Sequence, residues 1–247
     1  MNQLELIGLV FVIVFFGLML TLAILSRTRP VRQFREIQAF TRLRHAVGLA
    51  VEAGNRLHLS IGRGNLIGPQ SAVAFVGLTV LDRIARSTMV SDRPPVVTSG
   101  EGAISVLSQD SLRGASRAIG AEFDPLRGRL TGLTPFSYVA GTLPVIYDED
   151  VGANLFIGSF GSELALMNEA GERAGSLTLA GTDNLSGQAV LYATAEEPLI
   201  GEETYASGAY LGAGAMHIAS LRAQDISRWV IISLILLGAL LKLIGVL

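Results

Sequence analysis

Four short stretches place glycine directly after an apolar run: Gly62-Arg63-Gly64 with Gly68, Ser99 to Gly102, Gly158-Ser159-Phe160-Gly161, and Gly181 to Gly187. Glycine lets backbone amides approach a ligand closely, and a helix that starts just beyond favours negative charge, so the chemistry on offer is capture of a small anion or nucleotide. The candidate ligand-binding residues are Gly62, Gly64, Ser99, Glu101, Gly158, Ser159, Gly161, Gly181 and Asp183. None of these stretches has the Rossmann G-x-G-x-x-G spacing, and tight strand-to-helix turns use glycine with no ligand at all. For acid–base work the residues to watch are His58, Glu101, Glu163 and Asp183, which are expected to converge near the same loops. The alternative is that they cap helices or complete hydrogen bonds within the fold. Asp148-Glu149-Asp150 offers carboxylates to a hard cation, or is simply a solvated loop.

Several chemistries are excluded. The chain has no cysteine, which removes disulfides, thiol nucleophiles and thiolate-held metals, and it fits a reducing compartment. Its one lysine is Lys242, inside an apolar run, so there is no P-loop and no Schiff-base lysine. Neither a G-x-S-x-G elbow nor H-E-x-x-H occurs, and the residue pattern specifies no cofactor. A net charge of −2 argues against nucleic acid as a partner.

The elements that must position these loops alternate. Strands are expected at 57–61, 95–98, 129–133, 154–157 and 176–180, each followed by a helical stretch: 71–89, 103–119, one opened by Thr134-Pro135, 163–173, and a short one from Gln188. Thr134 is a good N-cap and Pro135 suits the first helical position. Strand–helix alternation predicts an α/β fold: a single Rossmann-like domain with a mostly parallel sheet covered on both faces. Ligands in such sheets bind outside the carboxyl ends of the strands, where the four glycine stretches fall.

Half of the 247 residues are hydrophobic and only 16% are charged, which leaves room for membrane segments beside the domain. Leu6 to Leu25 is an uncharged apolar run long enough to span a bilayer, and Trp229 to Leu247 is just long enough, with Lys242 able to snorkel. Glu5 and the lack of an early Lys or Arg favour an anchor over a cleaved signal peptide. The expected organisation is an anchor over 1–26, a cytoplasmic α/β domain over 27–228 and a membrane helix over 229–247. Pro30 is expected to end the first helix, and an amphipathic helix over 31–55 to lead into the domain. Arg27, Arg29, Arg32, Arg35, Arg42 and Arg44 follow the first span, while Arg222 and Arg228 precede the second. The positive-inside rule then puts the domain in the cytoplasm and both termini outside the inner membrane. The arginines of the amphipathic helix either touch anionic lipid or form a solvated face.

From Glu202 onward the sequence reads as one helix running into the second span. Its first half is rich in small residues, and pairs four apart, Gly208 with Gly212 and Ala215 with Ala219, are the spacing that lets two backbones come close. These four are the candidate contacts between copies in a homo-oligomer, or else pack against the domain itself.

The segments LHLSIGRGNLIG, PPVVTSGE, NLFIGSFGSELALMNEAGERAG and PLIGEETYASGAYLGAGAMHIASLRAQDISRW resemble an uncharacterised family of bacterial membrane-anchored α/β proteins, a domain of unknown function found notably in filamentous green bacteria. The resemblance runs from about His58 to Trp229. It implies the fold and the membrane attachment, and transfers no activity, cofactor or catalytic residue. Two function classes follow from the residues. One is a non-enzymatic structural or assembly module on the lipid bilayer, acting as a homo-oligomer or within a larger membrane complex. The other is a sensor or enzyme that binds a small molecule at the glycine-rich loops.

Overall fold

The computed structural model describes residues 3–28 and 34–245. Pro30, Arg29, Arg32, the start of the expected helix at Val31 and the last two residues lie outside them, as does the side chain of Arg27. The chain forms two compact units, Glu36–Leu211 and Met1–Arg35 with Gly212–Leu247.

The larger unit is an α/β domain, narrower than the 27–228 expected. In chain order it contains α2 (Gln38–Ala53), β1 (Arg56–Gly62), α3 (Ser71–Thr88), β2 (Val96–Ser99), α4 (Gly102–Ala118), β3 (Gly128–Leu130), α5 (Pro135–Asp148), β4 (Val151–Ser159), α6 (Leu164–Arg173), β5 (Leu177–Thr182), α7 (Leu185–Thr194), β6 (Glu197–Leu199) and α8 (Glu202–Tyr210). The six strands form one sheet in the order β3-β2-β1-β4-β5-β6, and every neighbouring pair is parallel. The predicted Rossmann-like α/β fold is therefore present. The first three strands wind outward from β1 and the last three from β4, so the chain reverses direction between β1 and β4.

Alternation along each strand assigns the two faces. Leu57, Leu59 and Ile61 of β1 join Val97, Leu155, Ile157 and Leu179 in an apolar core with α2, α3 and α4. The opposite face packs Phe156 and Ala180 against α5, α6 and α7, through Tyr138, Ile146, Leu164, Met167 and Leu191. Local signals fix the helix starts. Thr134 and Ser137 form a reciprocal capping box ahead of Pro135, and Asn184 accepts from Ser186 and Gly187 to start α7 three residues before the expected Gln188.

Three expectations are corrected. The amphipathic helix is Gln38–Ala53 rather than 31–55: residues 34–37 are irregular, Ile37 is extended, and Gly54 closes the helix in the left-handed conformation. A sixth strand, β6, exists where none was expected. It is three residues long and carries Pro198, which the sheet tolerates because β6 is an edge. Most consequentially, the expected continuous helix from Glu202 is broken. Helix α8 ends at Tyr210, Gly212 and Gly214 adopt φ of 72° and 140°, and α9 (Ala215–Leu243) starts afresh. Only glycine enters those conformations without strain, so the residues that look like a close-packing stripe are in part a turn.

The smaller unit pairs α1 (Gln3–Thr28) with α9, and the two helices pack against each other. Both are long and apolar enough to cross a membrane. Leu6, Phe11, Ile13 and Phe16 of α1, and Trp229, Ile231, Leu236 and Leu240 of α9, are exposed.

Candidate functional site

At the carboxyl edge of the sheet, the β1–β4 junction is where this fold class receives ligands. Gly62, Gly64, Ser159 and Gly161 meet there, and each glycine is used against the chain itself. Gly62 has φ of 72°, and a Cβ on it would strike the carbonyl of Ser159. One on Gly64 would lie 3.1 Å from the Ser159 side chain. On Gly158 it would run into the carbonyl of Ile61, and on Gly161 it would come within 2.6 Å of the Glu163 carboxylate. Backbone bonds tie the same loops together: Arg63 N donates to Ser159 O at 3.1 Å and Gly100 N to Gly62 O at 2.7 Å. Glycine here serves close contact between neighbouring turns.

Arg63 occupies the space between those turns. Its stem lies against Gly100, where any Cβ would overlap Arg63 Cγ, and its Nη2 donates to Glu163 Oε1 at 3.1 Å. The Glu163 side chain is 5% exposed and that of Arg63 27%. Burial alone would raise the Glu163 carboxyl, but the backbone amides of Gly161 and Glu163 and the Arg63 guanidinium outweigh it and hold the group below its ordinary value. An internal ion pair thus bridges the β1 and β4 loops where an anionic ligand would seat in this fold class. Arg63 stands between two glycines after an apolar strand, and that placement is its one signal in the sequence.

The remaining candidates spread along the edge. Ser99 is buried and donates to Arg129 O, while Glu101 caps α4 by accepting from Ile104 N at 2.9 Å. Gly181 lies beneath Thr204 of α8, with a Cβ position 2.8 Å from that hydroxyl. Asp183 follows β5, and its Oδ1 is buried with no hydrogen-bond partner among the described residues. Burial, and then the Asp183 charge, raise the Tyr205 hydroxyl above its ordinary value.

His58 does not join them. It sits in the middle of β1, fully buried, four residues before the loop. It belongs instead to a polar seam on the otherwise apolar face that α5, α6 and α7 cover. His58 Nδ1 contacts Asn154 Oδ1 at 2.8 Å and Nε2 contacts Thr98 Oγ1 at 2.9 Å. Asn154 Nδ2 donates to Ser176 Oγ at 2.6 Å, and that hydroxyl donates to Gly171 O. Because Ser176 spends its proton on Gly171, Asn154 must turn Nδ2 toward Ser176 and Oδ1 toward His58, so the histidine proton resides on Nδ1. Ser60 and Thr98 continue the seam to the Tyr138 hydroxyl. Burial holds the His58 imidazole down to about 4, against the upward pull of the Asn154 bond and of Glu149. It is a neutral, satisfied core histidine.

The acidic cluster is also spoken for at its centre. Glu149 pairs with both Arg56 and Arg129, and Asp150 with Arg93. Arginine guanidinium groups, rather than a metal ion, answer those charges, and among the described residues no group of three metal-ligating side chains comes together.

Of the residues expected on one C-terminal helix, Gly208 lies in α8 and is buried in the α/β unit, whereas Gly212 is exposed in the turn. Ala215 and Ala219 remain together on α9, half-buried and buried. The Gly208–Gly212 pair therefore does not form one helical face.

No curated protein and no solved structure matches this sequence. One family model does, over residues 1–247, and its description is "Domain of unknown function (DUF6754)". With the match running the full length of the chain, from α1 through the six-stranded sheet to α9, the protein belongs to that family.

Proposed function

We propose that the protein is a non-enzymatic, membrane-anchored assembly module, in which α1 and α9 hold the α/β domain on a bilayer and copies associate there or join a larger membrane complex. The observation that carries this reading is the Arg63–Glu163 pair across the β1–β4 junction. Filling the ligand crevice of the fold with the chain's own ion pair suits a rigid scaffold better than a receptor. Anchoring rests on the exposed apolar side chains of α1 and α9, because surfaces of that extent do not persist in water. Arg35, Arg42, Arg44, Arg222 and Arg228 flank the spans on their inner sides, which orients the domain to the cytoplasm and both termini outward. Confinement of each chain to a plane by two anchors lowers the entropic cost of association. Of the small residues on α9, Ala219 is buried within the chain and only the half-buried Ala215 is left for a contact between copies. Native mass of the full-length protein in bilayer discs tests the assembly claim, and reporter fusions at each terminus test the topology.

A second reading, capture of a small anionic or nucleotide ligand at the carboxyl edge, draws on Arg63 Nε, a donor buried without a hydrogen-bond partner among the described residues; Asp183 Oδ1, buried and likewise unpartnered, could only accept from a ligand hydroxyl or amine such as a nucleotide carries. A ligand there would have to part Arg63 from Glu163. Thermal unfolding with millimolar nucleotides separates the two readings.

A further inference from the structure

At the opposite, amino edge of the sheet, a cavity of about 350 Å³ opens between the last turns of α6 and α7 at the start of β5. Two of its lining side chains are fully buried and incompletely bonded. Asn168 is 1% exposed and Thr178 3%, and neither Asn168 Oδ1 nor Thr178 Oγ1 has a hydrogen-bond partner among the described residues. The orientation of the Asn168 amide follows from its neighbour. Thr194 Oγ1 gives its proton to Val190 O at 2.9 Å, so it can only accept from Asn168, and Nδ2 must face it at 2.9 Å. Oδ1 is then the acceptor left over. An unpaired buried acceptor has lost its water without replacement, so its persistence asks for a donor.

The surrounding charge selects the kind of donor. Glu172 and Glu196 stand at the exposed rim. Helix α6 ends at Arg173 and α7 at Thr194, so two helix C-termini direct their negative dipole ends toward the cavity. The nearby cation, Arg173, is engaged by Glu169 at 2.7 Å and does not line the cavity. A bare metal ion fits poorly, since no triad of metal-ligating side chains assembles among the described residues, and a volume above about 300 Å³ suits a small organic molecule.

We infer that this cavity between α6 and α7 binds a small organic ammonium ion, its N–H groups donating to Asn168 Oδ1 and Thr178 Oγ1 and its charge offset by Glu172 and Glu196. The site is independent of the assembly reading and lies at the far edge of the sheet from the glycine loops.

The probe is 1,4-diaminobutane, added to the full-length protein in detergent while ionic strength is held constant with sodium chloride, and unfolding is followed by heat. The expected result is a saturable rise in Tm. It should be absent with the neutral isostere 1,4-butanediol, and the E172Q/E196Q double variant should weaken the apparent Kd by about tenfold or more, the scale of losing charge-assisted contacts. Both glutamates are exposed, so that variant keeps the fold. A Tm that does not saturate, an equal response to butanediol, or an unchanged Kd in the double variant overturns the proposal.

Discussion

Asn154 Oδ1 stands 2.8 Å from His58 Nδ1 across the junction of β4 and β1, with both side chains completely buried. The imidazole titrates near 4 in the folded protein and near 6.5 when unfolded, so between those values the unfolded chain holds a proton that the folded one does not. Stability should be full above about pH 6.5 and fall by about 3 kcal/mol as pH descends to 4. His58→Gln should flatten that slope while lowering stability at pH 7, because its amide cannot reproduce both ring bonds. Denaturant unfolding across pH checks this, and an unaltered slope in the variant would contradict it.

Glycines in the sheet and in the exposed face of a helix should differ sharply in tolerance. Alanine at Gly158 would collide with the Ile61 carbonyl between two paired strands, and should cost about 4 kcal/mol or abolish folding. Gly114, exposed in α4 with nothing near its Cβ position, should accept alanine with a gain of about 0.5–1 kcal/mol. Thermal melts of the two variants give the comparison; equal effects would mean the junction is looser than described.

Removing the charge of Glu163 while keeping its shape tests the bridge itself. Glu163→Gln should lower stability by about 2 kcal/mol at pH 7, since the pair and the amide contacts are charge-assisted and largely sheltered. The wild-type carboxyl lies below its ordinary value, so its contribution holds above the normal carboxylate range and fades as pH falls through the folded value. The gap between the two proteins should therefore narrow in acid. In neither protein should millimolar ATP or NADH raise Tm; a clear rise in wild type would favour the ligand reading.

The sheet was readable because its cues are local: apolar runs at 57–61 and 154–157 closed by glycine, and Thr134-Pro135 at a helix start. Its register and order, which bring the β1 and β4 loops together, depend on long-range pairing that no local pattern encodes. His58 could not be placed by residue type alone, since a histidine next to a loop and one inside a seam of Asn154, Thr98 and Ser176 look alike in sequence. The break at Gly212 and Gly214 escaped for a related reason: glycine four residues from another small residue satisfies a helix-packing pattern and a left-handed turn equally well, and only φ distinguishes them. Strand β6 was hidden by Glu197 and Pro198, which are unfavourable in a central strand and harmless at an edge.

The α/β unit has its own two-sided core, so residues 36–211 expressed alone should be water-soluble and unfold in a single cooperative step, whereas the full chain should require detergent. Carbonate extraction and circular dichroism check the two halves of this expectation. A soluble full-length chain would remove the anchors from the account.

The claim that assembly is the purpose of this architecture is tested most directly by native mass spectrometry of the full-length protein released from bilayer discs. One chain weighs 26.1 kDa. The account predicts a dominant species at a fixed multiple of that mass, or a stable complex with other membrane subunits, retained in several mild detergents. A single 26.1 kDa species under all of them would contradict it.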